Sequence, residues 1–340
     1  MRRREALKAL AALPLIGAGA TAHREARAQA AETSTTAAPP RAYRAAVMRS
    51  PVEVPRDGAS MQATRTRNAN AMVAAIEAAM RGPTPRPKLI VFPVLQLTSN
   101  RRTTNRVPIT EVAVDLVSQP IDRTVFAPVA AACRYYGCYV ATSTQEKVPQ
   151  FPGRYFHTGI IIGPEGLVLR APKAQARSAP EVTFLREIAE DYKKVFGPDS
   201  IMPVAETPIG RLACHVEGEA EILEASRLLA WKGAEVIVHP SAEAEHVPWP
   251  ALKQALAYQC HVYLLTGTPS RYLSDGGADE WAPGASTIFG PDGKLLASIG
   301  QRGEGMAAAD IDLEAVAEAR RTLGRNTTPA WHLYRDLYGQ

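Results

Sequence analysis

Apolar and polar positions alternate in two rhythms along this chain, and the rhythms predict its elements. Arg41–Met48 reads as a strand. Over Thr66–Met80, apolar residues recur at helical spacing (Met72, Val73, Ile76, Met80), which predicts one buried helix face. Lys88–Phe92 is a short apolar strand stopped by Pro93. Pro120–Tyr136 holds a helix with Val129, Ala132 and Cys133 inward, and the strand Cys138–Thr142 follows it. His157–Ile162 and Leu167–Leu169 flank Gly163-Pro164-Glu165-Gly166, a hairpin signal. Ser286–Phe289 and Leu295–Ser298 flank a second one, Gly290-Pro291-Asp292-Gly293. Between them Pro250–Tyr258 reads as a helix and His261–Thr266 as a strand. Helices alternating with buried strands, plus two hairpins, predict mixed sheets packed face to face with helices outside.

The most informative stretch is Arg211–Ser241. A strand ends at Cys214, and an acidic segment follows with Glu217, Glu219, Glu221 and Glu224. A helix carrying Ile222, Leu223, Leu228 and Leu229 comes next, stopped by Gly233 before the strand Glu235–His239. A thiol at a strand end, facing the start of a helix, is a place where a fold can expose and activate a nucleophile.

The amino terminus changes the charge argument. Arg2-Arg3-Arg4-Glu5-Ala6-Leu7-Lys8, the apolar run Ala9–Ala22 and Ala28-Gln29-Ala30 make an export signal over residues 1–30, with cleavage near Ala30. Its paired arginines point to the twin-arginine route and a periplasmic or secreted product. The apolar run is too short to span a bilayer comfortably, so stable membrane insertion after signal removal is not expected. Residues 31–40 read as a disordered linker, 41–320 as one large domain and 321–340 as a carboxy-terminal tail. The chain of 340 residues carries a formal charge of +5, of which the signal contributes +4. The remainder is nearly neutral, and nothing in it argues for nucleic acid. Four cysteines (Cys133, Cys138, Cys214, Cys260) are no disulfide scaffold, and none sits at zinc-ligand spacing. Neither a metal nor a cofactor is expected.

Several fragments, in order, carry a resemblance: Leu89-Ile90-Val91-Phe92-Pro93, Phe156-His157-Thr158 before the Gly163–Gly166 turn, and Ile209-Gly210-Arg211-Leu212-Ala213-Cys214. Arg227-Leu228-Leu229-Ala230 with Gly233-Ala234-Glu235, Gly284-Ala285-Ser286 before Gly290–Gly293, and Asp310-Ile311-Asp312-Leu313 complete the set. The ordered set resembles the nitrilase, or carbon–nitrogen hydrolase, superfamily over about residues 41–320. The resemblance implies an α/β fold, an αββα sandwich of two mixed β-sheets with helices on the outer faces, assembled as a homodimer or higher homo-oligomer. It also implies a small-molecule amide or nitrile substrate. The family's chemistry uses a cysteine thiolate, a glutamate base, a lysine for the oxyanion and a second glutamate that positions the lysine.

On that pattern the lysine falls on Lys173, and the second glutamate near Gln145 or Glu146. The base position reads Phe92-Pro93-Val94, and valine cannot accept a proton. The nucleophile position stays open: counting forward from Ile209-Gly210 gives Cys214, whereas counting back from Arg227 gives Glu217. Two functions are therefore expected to compete. One is an exported carbon–nitrogen hydrolase acting through a modified site of Lys173, Cys214, Glu217 and Glu146. The other is a non-catalytic protein of the same fold serving as a binding or scaffolding module. His239 is expected to line the pocket or cap a loop.

Overall fold

The computed structural model describes residues 42–82, 84–98, 107–175, 182–274 and 279–323. The export signal, the linker of residues 31–40 and residues 324–340 of the tail lie outside the described residues.

The strand path runs β6-β5-β4-β2-β1-β10-β9-β8-β7. The first half is built from β1 (Ala42–Val54), β2 (Pro87–Val91), β4 (Tyr139–Lys147), β5 (Tyr155–Gly163) and β6 (Gly166–Pro172). The second half has β7 (Val204–Thr207), β8 (Gly210–Cys214), β9 (Val236–Pro240) and β10 (Tyr263–Ser274). The short β3 (Val114–Asp115) and β11 (Glu280–Trp281), with β12 (Ser286–Phe289), β13 (Leu295–Ile299) and β14 (Gly305–Asp312), branch from this path.

Two sheets were expected, and hydrogen bonding runs on from one half to the other through β10. The early part of that strand runs parallel to β9 (Tyr263 beside Val236), and its later part runs parallel to β1 (Arg49 beside Thr268). One twelve-residue strand thus serves both halves, and the ends of the path, β6 and β7, return into contact. A short apolar segment, His261–Thr266, gave no sign that the strand continues to Ser274 through polar residues.

Strand alternation distributes the side chains among three cores. Along β1, Tyr43, Ala45 and Val47 join Val236 and Val238 of β9 in a core shared by both halves. The intervening Ala46 and Met48 pack with Met72, Ile76 and Met80 of α1 (Gly58–Arg81) and with Val129 and Cys133 of α2. That label is kept for Ala127–Tyr136, the single turn Ile109–Val112 being left unnumbered. On the far side, Ala213 and Ile237 meet Leu229 of α4 (Leu223–Trp231) and Leu256 of α5 (Trp249–Cys260), α3 being Ala189–Phe196 and α6 Leu313–Leu323.

Helix α1 starts eight residues before the expected Thr66 because Asp57 caps it. Its carboxylate accepts from the Ser60 amide at 2.9 Å, and the Ser60 hydroxyl accepts from the Asp57 amide at 3.0 Å. The helix after Cys214 starts later than expected. A 3₁₀ segment, Glu217–Glu221, comes first, and Leu223 is left about one-third exposed, at 37%. No helix among the described residues is long and apolar enough to cross a membrane.

Candidate active site

Strand β8 ends at Cys214, and the amide of His215 extends the ladder by donating to the Val238 carbonyl. The chain then turns sharply. Glu217 has φ +50°, the left-handed region, which costs a side-chain-bearing residue on the order of 1–2 kcal/mol and is held by its surroundings. Here the holding contact is His239 of β9. Its Nε2 donates to the Glu217 carbonyl at 2.9 Å, while Nδ1 lies 3.2 Å from the Thr266 hydroxyl. Burial pushes His239 down to about 3, so the ring is neutral and its one proton belongs on Nε2.

The strained turn aims the Glu217 carboxylate at Lys173. Oε2 lies 3.3 Å from Lys173 Nζ and 3.5 Å from His157 Nδ1. The lysine follows β6 and is fixed by its own amide, which donates to the His157 carbonyl at 2.9 Å. His157 Nε2 is 2.9 Å from Ser143 Oγ, which in turn accepts from the Leu95 amide at 3.0 Å. Burial lowers His157 to about 4, with the Glu217 charge opposing and Lys173 adding. A neutral ring between a carboxylate and a hydroxyl resolves one way: Nδ1–H faces Glu217, and Nε2 accepts the Ser143 proton.

Glu219, two residues on, latches the turn to the lysine segment. Its carboxylate accepts from the Ala174 amide at 2.8 Å and from the Val216 amide at 3.3 Å. Burial raises its pKa to about 7 despite these bonds.

Of the four residues expected at the site, the structure brings Lys173 and Glu217 together. Cys214 points into the shared core beside Val94, Leu95 and Val216. A Cβ on Gly159 would come within 2.3 Å of the Cys214 sulfur, so only glycine fits beneath it. Burial, then the charge of Glu219, raises this thiol well above its ordinary pKa, which disfavours a thiolate. Glu146 lies on the opposite face of β4 from Ser143. It pairs with Arg170 and accepts from Thr158 Oγ1 at 2.5 Å, and Arg170 also reaches the Tyr192 hydroxyl at 2.7 Å. Gln145 shares the Ser143 face and stands in register with His157. Val94 is buried.

His157, Ser143 and Glu219 were not singled out from the sequence. His157 was on view in Phe156-His157-Thr158, but its partnership with Ser143 emerges only from the pairing register of β4 and β5. Glu219 offered none beyond the acidic run. A cavity of about 620 Å³, lined by Arg65, Asp115, Arg123 and Lys147 among others, touches none of these groups. No cluster of three or more His, Cys, Asp or Glu residues among the described residues could hold a metal ion.

Residues 45–321 match the family model described as carbon-nitrogen hydrolase. The chain belongs to the carbon–nitrogen hydrolase family. Among curated relatives of this nitrilase-superfamily member, a bifunctional nitrilase/nitrile hydratase NIT4A of Lupinus angustifolius is 28% identical over 141 residues. That match covers 37% of this chain and 40% of the relative. The chloroplastic omega-amidase of Arabidopsis thaliana is 25% identical, covering 55% of this chain and 50% of the relative. The deaminated glutathione amidase of Homo sapiens is 25% identical, with 55% of each chain covered. The chain thus spans about half or less of these relatives' length. Among solved structures, Saccharomyces cerevisiae Nit3 superposes with a TM-score of 0.64 at 19% identity, covering 84% of this chain and 95% of that one. A carbon–nitrogen hydrolase from Helicobacter pylori G27 gives 0.63 at 19% identity, with 87% and 98% covered. The mixed α/β fold is therefore that of known nitrilase-superfamily structures.

Burial of the site makes the stability of this chain pH-dependent. His157 and His215 are lowered to about 4 and His239 to about 3, all mainly by burial, from an ordinary 6.5. Their contribution is complete above about pH 6.5 and is lost as pH falls through 4, because the unfolded chain binds protons the folded one refuses. Glu219, raised from 4.5 to about 7, works the other way: its contribution is complete below pH 4.5 and is lost as pH rises through 7. Three groups outweigh one. Urea midpoints are expected to fall between pH 6.5 and 4, by several kcal/mol of stability at about 1.4 kcal/mol per unit per group. A midpoint constant across that range would contradict neutral buried histidines.

Proposed function

We propose that this chain is an exported carbon–nitrogen hydrolase that cleaves small amide-type C–N bonds with Glu217, rather than Cys214, as its reactive group. The observation that carries the reading is the strained Glu217 turn, which presents a carboxylate to Lys173 at 3.3 Å beside His157. Cys214 has the opposite environment, a buried thiol in an apolar core. In the proposed reaction Glu217 removes a proton from water, and the hydroxide attacks the amide carbon. The oxyanion that forms faces the Lys173 ammonium. When the tetrahedral species collapses, the leaving nitrogen takes its proton from the Glu217 carboxyl, giving a carboxylic acid and an amine. His157 holds the carboxylate through Nδ1–H and is itself held by Ser143.

The likeness to nitrilases and amidases supports an amide or nitrile substrate. The core shared by both strand halves, with α1 and α2 on one side and α4 and α5 on the other, supports an αββα arrangement. The residues that support export by the twin-arginine route are Arg2 to Lys8 and the apolar run after them. Assembly as a homodimer belongs to the same reading.

A second reading, a non-catalytic binding module, is favoured by Val94, an aliphatic residue in the shared core where the family resemblance calls for a base. Ammonia release from short aliphatic amides, compared between the native chain and Cys214→Ala, tests the proposal. Turnover that survives the substitution within a few-fold supports a carboxylate mechanism. Turnover abolished in a folded Cys214→Ala protein restores the thiol, and no turnover in either chain supports the binding module.

A further inference from the structure

Cys133 and Cys138 take no part in the site, yet the way α2 ends brings them together. Helix α2 stops at Tyr136, and Gly137 adopts the left-handed conformation with φ +61° and ψ +42°. The Gly137 amide donates to the Cys133 carbonyl, and the Cys138 amide donates to the same carbonyl at 3.2 Å. The second bond, closing six residues after a left-handed cap, is the Schellman arrangement. Its two end residues normally place apolar side chains in contact. In this chain both of those residues are cysteines.

Both thiols are completely buried and belong to the same core cluster, beneath α1 and α2. Each thiol also biases the other's titration, raising Cys133 and lowering Cys138. The remaining cysteines are placed elsewhere. Cys214 lies in the core shared by the two halves, and Cys260 is the last residue of α5, in the core on the far side. A pair at sequence spacing x4, read without the backbone, looked like neither a metal clip nor a disulfide. The left-handed glycine between the two residues reverses the chain and makes them neighbours.

We propose that Cys133 and Cys138 are a modification site, closing an intramolecular disulfide that ties the end of α2 to the start of β4. The link forms by exchange with a disulfide-bearing oxidant, such as oxidised glutathione. One cysteine thiolate attacks the oxidant's disulfide, giving a mixed disulfide and one released thiol. The second thiolate then displaces the other half of the oxidant. Two protons leave the protein, one S–S bond forms, and the oxidant is reduced to two thiols. Since neither sulfur is exposed, exchange takes place during folding or when the helix end opens. Once closed, the bond is shielded by the same packing. It stiffens the strand that, five residues on, carries Ser143 against His157.

The full chain, refolded in a buffer of oxidised and reduced glutathione and then denatured and alkylated, tests this. The expected product carries two alkylated thiols rather than four, and is about 2 Da lighter than the reduced chain before alkylation. Peptide mapping is expected to show a Cys133–Cys138 link, with Cys214 and Cys260 alkylated. In Cys133→Ser the link is lost and Cys138 becomes alkylatable, while the thermal midpoint no longer responds to reductant. Four free thiols in the refolded native chain, glutathione retained on either residue, or a link from either to Cys214 or Cys260 overturns the proposal. These readouts need only the native chain, so a Cys133→Ser protein that fails to fold does not obscure them. They are also independent of whether Glu217 or Cys214 performs the chemistry.

Discussion

Glu217→Gln is expected to lower amide turnover by about 10²–10⁴-fold, the range typical for loss of one positioned proton-transfer group. The substitution keeps the side chain's length and leaves an amide oxygen that can still accept from Lys173. The fold and the φ +50° turn should therefore survive, since the turn is held through the backbone carbonyl by His239. What disappears is basicity. Glutamine cannot take a proton from water or return one to the leaving nitrogen, so kcat should carry most of the loss and KM little of it. Circular dichroism and the urea midpoint establish that the variant is folded, and ammonia release gives the rate. Turnover within about three-fold of the native chain would remove Glu217 from the chemistry, because no proton-transfer role is that dispensable.

This contrast between Glu217 and Cys214 shows where the sequence was legible. Buried strands such as Leu89–Val91 and Val236–Val238 announce themselves by unbroken apolar runs, and the two Gly-Pro-x-Gly turns locate their hairpins without ambiguity. The family resemblance placed Lys173, and the structure sets that residue against one of the two candidates that counting could not separate. The reason the count failed is physical. Glu217 lies three positions after Cys214, and over that span the chain changes from extended strand to left-handed turn. A strand-based register is valid only up to Cys214, and a helix-based register only from α4 onward. Neither reaches across the turn. Glu146 illustrates a different limit. One step along β4 moves a side chain to the other face, so Gln145 and Glu146 were indistinguishable by composition and are separated only by the pairing register with β5. The polar partners Ser143 and His157 come from different strands, and an isolated Ser or His in an apolar strand carries no mark of its future partner.

A large effect of one substitution on stability is expected at a buried ion pair outside the proposed catalytic set. Lys253 of α5 is fully buried, and its Nζ lies 2.6 Å from Glu243 Oε1 and 3.0 Å from the Ala285 carbonyl. The other Glu243 oxygen accepts from the Ala285 amide at 3.1 Å, so the two charges hold Ala285, in the loop before β12, by both its amide and its carbonyl. The clamp is close-fitting: Gly284 has φ +99°, and a Cβ there would approach Glu243 Cβ to 2.7 Å. Just beyond it, Ser286 Oγ donates to the Met48 carbonyl at 2.9 Å and accepts from the Thr268 amide at 3.0 Å, stitching β12 to β1 and β10. Lys253→Met preserves volume but leaves the Glu243 carboxylate buried with a single backbone donor. Removing one partner of such a pair costs about 3–5 kcal/mol, mostly the penalty of the charge left behind. For a domain of this size that corresponds to a thermal midpoint lower by roughly 6–20 °C. The double variant Lys253→Met/Glu243→Leu removes both charges and should recover most of the loss, since well-packed apolar side chains commonly replace a buried ion pair at little cost. Calorimetry on the native chain and the two variants separates the possibilities. A single variant within about 1 kcal/mol of native would mean that the pair is solvated rather than buried. A double variant no better than the single would place the loss in the bonds to Ala285 rather than in the stranded charge.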